Sequence, residues 1–242
     1  MTAGYTDAEA AALYDVLNPW HPSDDFYLAL VMAVPTALDV GCGTGTVLKA
    51  ARAAGHRGRL VGVDPDRAAL EVARQRSDVE WTESTAAGLT GTGEFELATM
   101  TGHAFQCLVT DLDVTSSLSA VHRALATGGR FAFETRNPAA RAWEEWAAGP
   151  PQQVVDPAGR ALVVGLEVLE VEHDRVTFTE TTSDPDGTPL RVDRTTLRFL
   201  DVDALTGFLT DAGFAVQARY GGWGREPFGA DSREIITVAA RS

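Results

Sequence analysis

A glycine-rich turn within residues 36–46 constrains the fold of this chain more than any other stretch. The apolar run that leads into it is typical of a buried parallel strand, and a helical pattern starts at Thr44. Between strand and helix, glycine stands at three alternate positions, Gly41, Gly43 and Gly45. Glycine lets the backbone turn sharply and lets a ligand approach the main chain closely. The sequence therefore predicts a strand–turn–helix unit that holds a small ligand against its backbone.

An acidic residue next to this turn narrows the chemistry of the ligand. Asp39 stands two positions before the first glycine. A dinucleotide-binding fold presents such a turn to a pyrophosphate, and a carboxylate so close would oppose that anion. The dinucleotide fingerprint also places its third glycine at position 46, where this chain has Thr46. The turn therefore favours a ligand that carries positive charge.

Composition is that of an ordinary globular core. Of the 242 residues, 45% are hydrophobic and 22% are charged. No apolar run approaches the roughly 20 residues that span a bilayer, and residues 1–9 are too polar and acidic for a secretory signal. Cys42 and Cys107 show neither a disulfide framework nor metal-ligand spacing. We therefore expect structural roles for both cysteines, no metal, no membrane contact and a cytoplasmic location.

The charge balance argues against one class of partner. The formal net charge is −14 at pH 7, whereas nucleic-acid binding draws most of its affinity from neutralising phosphates with Lys and Arg. No arginine cluster offsets this balance locally. We therefore expect no nucleic-acid partner.

Strands and helices alternate over the first part of the chain. Two helices are predicted before the glycine turn, one over 6–17 and one that begins at the cap Ser23. The predicted strands that follow are 36–41, 59–64, 78–82, 95–101 and 129–135, with helices at 44–54, 66–76 and 113–126 and after Pro138. Such alternation with short connections predicts a parallel sheet covered by helices on both faces.

The pattern changes after Pro150 and Pro151. Three stretches rich in Val, Thr and Leu are separated by good turn sequences, which predicts an antiparallel insertion. These stretches are 161–172, 175–183 and 189–200. The chain then returns to a helix over 201–212 and ends in two strands, 214–220 and 233–240.

The turn with its preceding acid resembles the first motif of class I S-adenosylmethionine (SAM) methyltransferases, whose ligand carries a sulfonium and an ammonium group. The resemblance extends from about Tyr14 to the C-terminus. It implies an α/β fold: a Rossmann-like, doubly wound, seven-stranded, mostly parallel sheet closed by an antiparallel hairpin. It also implies a SAM-dependent methyltransferase of the small-molecule kind, which leaves S-adenosylhomocysteine as product and works as a monomer or homodimer.

The resemblance also divides the chain into regions. Residues 1–34 would form an N-terminal helical lid. Residues 35–149 and 201–242 would form the SAM-binding core, and residues 150–200 an antiparallel β insertion that forms part of the substrate pocket. The substrate is therefore expected to be recognised by the regions whose sequence is least informative.

Cofactor contacts follow from the same resemblance. Asp39 and the turn itself would hold the methionyl end, with Asp64 and Pro65 at the end of the second strand holding the ribose. The simpler interpretation makes Asp64 a helix cap, but Asp66 suits that role better. The residues of the turn assigned to SAM are Gly41, Cys42, Gly43 and Gly45.

The adenine contact departs from the family pattern. Relatives usually carry Gly-Asp-Ala after the third strand, and the register that fits the apolar positions puts Thr85 where that Asp belongs, followed by Ala86. A hydroxyl accepts a hydrogen bond more weakly than a carboxylate does. Glu83 is the alternative contact to the adenine edge, and the sequence leaves the two open.

The segment after the fourth strand lies beside the methyl group in this fold. Gly102 lets the backbone pass closely, and Thr101 resembles the family position whose backbone meets the methionyl amino group. Four aromatic residues of the lid would close over the adenosine or the substrate, of which Tyr14 is assigned to the cofactor; they are Tyr14, Trp20, Phe26 and Tyr27. Of the five histidines, only His103 is placed by the core fold at the site of transfer. The segment does not read Asp-Pro-Pro-Tyr, the family signature for methylating nucleobase amines, and it shows no metal triad of the catechol type.

Three residues are candidates for the catalytic side of the site: His103, and Glu134 and Arg136 after the fifth strand. The reaction would be an in-line attack of a substrate N, O or C nucleophile on the sulfonium methyl, and a base is needed only if the nucleophile must lose a proton. Glu134 and Arg136 would contact substrate, pair with each other or pair with a residue of the lid. Two rival hypotheses are a SAM-binding protein that transfers no methyl group and a nicotinamide-dependent oxidoreductase, which Asp39 and Thr46 oppose.

Overall fold

The computed structural model of the protein describes residues 4–242; residues 1–3, with which the predicted lid begins, lie outside the described residues. Its α-helices are α1 Asp7–Leu17, α2 Pro22–Met32, α3 Thr46–Ala53, α4 Arg67–Ala73, α5 Asp111–Ala124, α6 Ala142–Ala148 and α7 Val202–Asp211. Short 3-10 turns occur at Ala86–Gly88, Ala104–Cys107 and Pro138–Ala140. None of the helices in this described part is long and apolar enough to cross a membrane.

A seven-stranded sheet forms the centre of the molecule. Its strands are β1 Thr36–Val40, β2 Arg59–Asp64, β3 Glu80–Glu83, β4 Phe95–Met100, β5 Leu125–Arg136, β10 Phe214–Tyr220 and β11 Glu234–Arg241. Their order is β10-β11-β5-β4-β1-β2-β3, and β11 is antiparallel to both of its neighbours. The predicted doubly wound, mostly parallel sheet with a closing antiparallel hairpin is confirmed.

Side chains alternate between the two faces of this sheet, which explains why it needs helices on both sides. In β1, Leu38 and Val40 join the apolar cluster that includes residues of α5 and α7. Ala37, which precedes Leu38 and therefore points to the other face, joins the opposite cluster, which includes residues of α2 and α3. The near-continuous apolar runs of the sequence reflect this burial on two faces.

The insertion is a separate antiparallel sheet with one strand more than predicted. Its order is β6-β7-β8-β9, with β6 Gln152–Val155, β7 Ala161–Glu172, β8 Arg175–Ser183 and β9 Pro189–Arg198. The prediction of three strands missed β6. That strand has four residues and begins with two glutamines, so its local pattern is weak, and its pairing with β7 defines it.

Two predicted helix starts need correction. The second helix begins at Pro22 and not after a Ser23 cap, because the Asp24 carboxylate accepts the main-chain N–H of His21 at 2.7 Å. The helix after the glycine turn begins at Thr46 and not at Thr44, because Gly45 still has a left-handed φ of +82°.

Ion pairs and hydrogen bonds fix the insertion against the rest of the chain. The buried Arg198 guanidinium bridges Asp174 and Asp111, each at 2.7 Å. At the other end of the sheet, Arg191 contacts Asp7 of α1 at 2.6 Å. The insertion is therefore held in one position over the core, next to the N-terminal helices.

Candidate active site

A cavity of about 960 Å³ lies between the carboxyl edge of the central sheet, the N-terminal helices and the insertion. The core contributes the glycine turn and the segment after β4. Helices α1 and α2 contribute one part of the wall, and one face of the insertion sheet contributes another. The predicted site residues that line it are Tyr14, Asp39, Gly41, Cys42, Gly43, Thr101, Gly102, His103, Glu134 and Arg136.

The floor of the cavity is one face of the sheet edge. Alternation along β1, β4 and β5 puts Asp39, Thr99 and Glu134 on the face that α2 covers. The Thr99 hydroxyl donates to the Asp39 carboxylate at 2.7 Å. Burial raises the pKa of Asp39 to about 7, although the bond from Thr99 opposes that shift. A cation next to Asp39 would favour its ionised form.

Each of the three glycines in the turn has different surroundings. All have positive φ, between +53° and +82°. A Cβ on Gly45 would lie 2.3 Å from the Trp81 ring, so this glycine makes room for packing. A Cβ on Gly41 would meet the Cβ of Ala104 at 2.8 Å, whereas nothing lies within 4 Å of a Cβ built on Gly43. Main chain at Gly43 is therefore the part of the turn open to a ligand.

Asp64 shapes the glycine turn as well as ending β2. Its two carboxylate oxygens accept the main-chain N–H groups of Gly43 and Asp66, each at 2.7 Å. The cap of α4 is Asp66, whose side chain accepts from Ala68 and Ala69, so the preference for Asp66 as the cap is confirmed. The role of Asp64 in holding the turn was missed, because it links residues 21 positions apart.

Five of the predicted cofactor residues do not line this cavity: Gly45, Asp64, Pro65, Thr85 and Ala86. Ala86 is buried in an apolar cluster, whereas Thr85 is exposed just before it. The exposed Glu83, the alternative adenine contact, also lies outside the lining. The adenosine contacts of these residues therefore stay predictions.

Helix α1 covers the turn from the N-terminal side. The Thr44 hydroxyl donates to Asp15 of α1 at 2.5 Å, and a Cβ on Gly102 would lie 3.4 Å from the Tyr14 hydroxyl. Gly102 has φ +63°, so a larger residue there would be strained as well as crowded. The contacts bring Tyr14 and the segment after β4 to the same side of the cavity.

A buried network stands where the transferred methyl group is expected. Glu134 is 1% exposed, accepts the Tyr27 hydroxyl hydrogen, and accepts the main-chain N–H of His103 at 2.8 Å. Burial raises the pKa of Glu134, against the effects of His103 and Tyr27. The imidazole Nε2 of His103 lies 3.0 Å from a carboxylate oxygen of Glu234. Sequence reasoning missed Glu234, which belongs to no local motif, and it expected Tyr27 only as a lid residue that closes over the ligand.

Arg136 does not bond to Glu134. Its guanidinium donates to the side chain of Gln106 at 2.9 Å and lies 5.0 Å from the ring centroid of Trp146. Burial lowers the pKa of Arg136. Of the predicted alternatives for Glu134 and Arg136, mutual pairing is therefore wrong. Glu134 pairs instead with a residue of the predicted lid, Tyr27, and both Glu134 and Arg136 line the cavity.

The insertion wall is mostly apolar with one acidic pair. Its cavity-facing side chains include Val164, Leu166, Phe178, Thr182, Thr195 and Leu197. Glu180 and Asp193 face each other across β8 and β9. Arg191 binds Asp193 at 2.8 Å, whereas among residues 4–242 the Glu180 carboxylate has no hydrogen-bond or ion-pair partner. Burial, and then the charge of Asp193, raises the pKa of Glu180.

Comparisons with known proteins identify the family. Residues 37–129 match the model of a methyltransferase domain. The chain is 33% identical over 165 residues to a 2-phytyl-1,4-naphthoquinone methyltransferase of Thermosynechococcus vestitus, an alignment that covers 62% of this chain and 72% of that protein. It is 28% identical over 221 residues to a cypemycin N-terminal methyltransferase of a Streptomyces species, covering 85% and 83%.

A solved methyltransferase structure shares the fold of this chain. The SAM-bound amino pentose methyltransferase CalS10 of Micromonospora echinaspora superposes with a TM-score of 0.71 at 20% identity, covering 95% of this chain and 97% of that one. The chain belongs to the class I SAM-dependent methyltransferases. It is a SAM-dependent methyltransferase of the small-molecule kind, as the sequence predicted, and the nicotinamide alternative is set aside.

Proposed function

We propose that this enzyme methylates the nitrogen of a small amine bound between the glycine turn and the insertion sheet. The observation that carries the proposal is the charge of the cavity lining. Six carboxylates line it, Asp24, Asp39, Glu134, Glu180, Asp193 and Glu234, against one guanidinium, Arg136, and the imidazoles His21 and His103. An ammonium group is attracted into such a cavity, whereas an anionic acceptor is repelled.

The cofactor end fits SAM by the chemistry of its donors. Asp39 is 1% exposed and has Thr99 as its hydrogen-bond donor, so the carboxylate can still accept from an ammonium group. The open main chain at Gly43 accommodates a ligand pressed against the turn. Asp64 would bind the ribose hydroxyls through the lone pairs that Gly43 and Asp66 leave free. Thr85 or Glu83 would meet the adenine edge, with Pro65 and Ala86 beside it.

The acceptor end uses the N-terminal helices and the insertion. We propose that the first 34 residues act as the lid and that residues 150–200 form the acceptor pocket. Glu180 is the one carboxylate of the insertion wall without an ionic partner among the described residues, so it is our candidate contact for a cationic or hydrogen-bond-donating group of the acceptor. The apolar side chains around it would bind the hydrocarbon part.

The named relatives offer two acceptor chemistries, and the lining favours one of them. One relative is named as an N-terminal methyltransferase, so its acceptor is an amine, and the other is named for a naphthoquinone. Apolar side chains of the insertion wall would suit a naphthoquinone ring, but the five lining carboxylates other than Asp39, which faces the cofactor in this proposal, would not. We therefore choose the amine.

The residues of the site would carry out three tasks. SAM supplies the methyl carbon: the lone pair of the acceptor nitrogen forms the new C–N bond while the C–S bond breaks, which leaves S-adenosylhomocysteine. The lining carboxylates would hold the acceptor ammonium, and Tyr14 and the N-terminal helices would exclude water. His103 would take the proton that an ammonium must lose before its nitrogen can attack.

Formation of S-adenosylhomocysteine with a matched acceptor panel tests the proposal. The panel pairs amino sugars and a peptide with a free N-terminus against their N-acetylated forms, and adds a phenol and a reduced naphthoquinone. We expect product only with the free amines. Methylation of the phenol or the naphthoquinone in preference to every amine would contradict the proposal.

Three further sequence predictions go with this function and stay predictions: a cytoplasmic location, a monomer or homodimer, and no nucleic-acid partner. Free thiols at Cys42 and Cys107 are consistent with a reducing compartment. The formal net charge of −14 supports the exclusion of nucleic acid.

A further inference from the structure

The contact between His103 and Glu234 has a consequence for the direction of proton transfer. The imidazole Nε2 lies 3.0 Å from a Glu234 oxygen, and the two side chains are 20% and 21% exposed. A carboxylate only accepts hydrogen bonds when ionised, so a neutral His103 carries its proton on Nε2 and donates it to Glu234. The lone pair is then on Nδ1.

Strand direction is what brings Glu234 to this place. It is the first residue of β11, and β11 is antiparallel to β5, with Glu234 opposite Arg136 at the end of that strand. The beginning of β11 therefore lies at the same edge as the ends of the parallel strands, where ligands bind in this class of fold. A parallel last strand would have placed its first residue at the opposite edge.

The main chain of His103 is fixed as firmly as its ring. Gly102 and His103 have φ values of +63° and +61°, and a left-handed conformation is costly for a residue with a Cβ. The N–H of His103 donates to Glu134, which the Tyr27 hydroxyl holds from α2. Hydrogen bonds that His103 donates to Glu134 and Glu234 thus set both its backbone and its ring orientation.

We propose that Nδ1 of His103 is the proton acceptor of the reaction and that Glu234 is the positioning residue that fixes this tautomer. The inference rests on the proposed amine acceptor. The N–H bond of the acceptor ammonium breaks, its electron pair stays on nitrogen, and the proton moves to Nδ1. The resulting imidazolium is paired with the Glu234 carboxylate and returns its proton to solvent after methyl transfer.

Other groups around His103 also set its charge. The titratable and charged side chains that share this part of the cavity are Tyr14 of α1, Tyr27 of α2, Cys107 of the turn after β4, Glu134 and Arg136 of β5, and Glu234 of β11. The Glu234 carboxylate, 3.0 Å from Nε2, would stabilise the imidazolium that forms after proton transfer. Removing the Glu234 charge should therefore disfavour that product of the proton transfer.

Nitrogen NMR of the histidine rings tests the tautomer without any acceptor. In protein labelled with ¹⁵N-histidine and assigned with His103→Gln, we expect neutral His103 to be protonated at Nε2, with a slowly exchanging ring N–H resonance. Glu234→Ala should abolish that resonance, whereas Glu96→Gln, an exposed carboxylate at the other end of the sheet, should not. A proton on Nδ1 in the wild type would overturn the inference.

Kinetics with the best amine of the panel supply the second test. Glu234→Gln should lower kcat about ten- to hundredfold and leave SAM affinity unchanged. This loss is smaller than the roughly 10²–10⁴-fold acceleration that a positioned base contributes, because the base itself is still present. The acid limb of its rate profile should move to lower pH. The double variant His103→Ala/Glu234→Gln should be no slower than His103→Ala, because the two residues act as one unit.

The two tests fail in different ways. Additive losses in the double variant, or an unmoved acid limb in a folded Glu234→Gln protein, would overturn the role of Glu234. Failure of every amine in the panel would instead overturn the proposed function, and the NMR measurement would still decide the tautomer. Thermal unfolding of each variant separates a lost fold from a lost proton acceptor.

Discussion

The proposed cofactor half and the proposed acceptor half of the cavity are built in different ways. The proposed cofactor half uses the glycine turn that directly follows β1, which Asp64 at the end of β2 holds from outside the lining through the N–H of Gly43. The acceptor half combines a turn after β4, the beginning of β11, two N-terminal helices and the insertion sheet. A motif therefore marks the first half, whereas the second exists only after distant segments pack together. Variants on the two sides should change different kinetic constants.

The largest effect is expected at His103, on the acceptor side. His103→Ala removes the proposed base but leaves the glycine turn intact, so turnover should fall by about 10²–10⁴-fold with little change in SAM affinity. Steady-state kinetics and calorimetry measure the two quantities. A change in KM alone, with no acid limb in the pH–rate profile, would assign the side chain to acceptor binding. Normal turnover with a normal KM would contradict the placement of His103 on the acceptor side of the cavity.

On the cofactor side, Asp64→Ala should weaken SAM binding by at least roughly tenfold, because each charge-assisted hydrogen bond to ribose contributes about 1.5–3 kcal/mol. The variant also loses the acceptor for Gly43 and Asp66, so its stability should fall. Asp66→Ala is the matched control, since it removes only the α4 cap and should cost about 1 kcal/mol of stability without changing SAM affinity. Unchanged calorimetric affinity in folded Asp64→Ala protein would take this residue out of the site.

Glu180→Gln should change acceptor binding alone. Loss of one charge-assisted bond of about 1.5 kcal/mol or more predicts a rise of roughly tenfold in the KM for the amine, with SAM affinity intact. Glu167→Gln is the control, because Glu167 is exposed on the other face of the same sheet. Equal KM values for the two variants would show that the insertion wall does not recognise the cation through Glu180.

A pH measurement separates stability from cofactor binding at Asp39. Because burial raises its pKa from 3.8 to about 7, the folded protein binds more protons here than the unfolded chain, and stability falls as pH rises through that interval. Asp39→Asn should therefore raise the free energy of unfolding at pH 8 by on the order of 1–3 kcal/mol while weakening SAM binding. Denaturant unfolding at pH 5 and pH 8 checks the sign. Equal stability of wild type and variant at pH 8 would contradict it.

The smallest effect is expected at Thr85. A carboxylate accepts from the adenine amino group better than a hydroxyl, so Thr85→Asp should tighten SAM binding or leave it intact. Calorimetry at two salt concentrations measures the change. Lost binding in a folded variant would mean that Glu83 or another group faces the adenine.

Most elements of the fold could be predicted because their patterns are local. Strands β7, β8 and β10 have the predicted bounds, and the alternation of strands and helices predicted the parallel sheet. The starts of α2 and α3 were placed incorrectly, since a proline with an acidic partner and a left-handed glycine decided them. Strand β6 was missed because its partner, and not its composition, makes it a strand.

The sequence by itself determined the strand–turn–helix unit and the place of Asp39 directly before its glycines, and hence the family. These features depend on glycine conformations and side-chain spacing within about ten residues. Tertiary structure decided that Tyr27 holds Glu134, that Arg136 turns to Gln106, and that Glu234 meets His103 from a strand 131 residues away. Such contacts depend on strand direction and on the packing of separate elements, which short-range patterns do not encode.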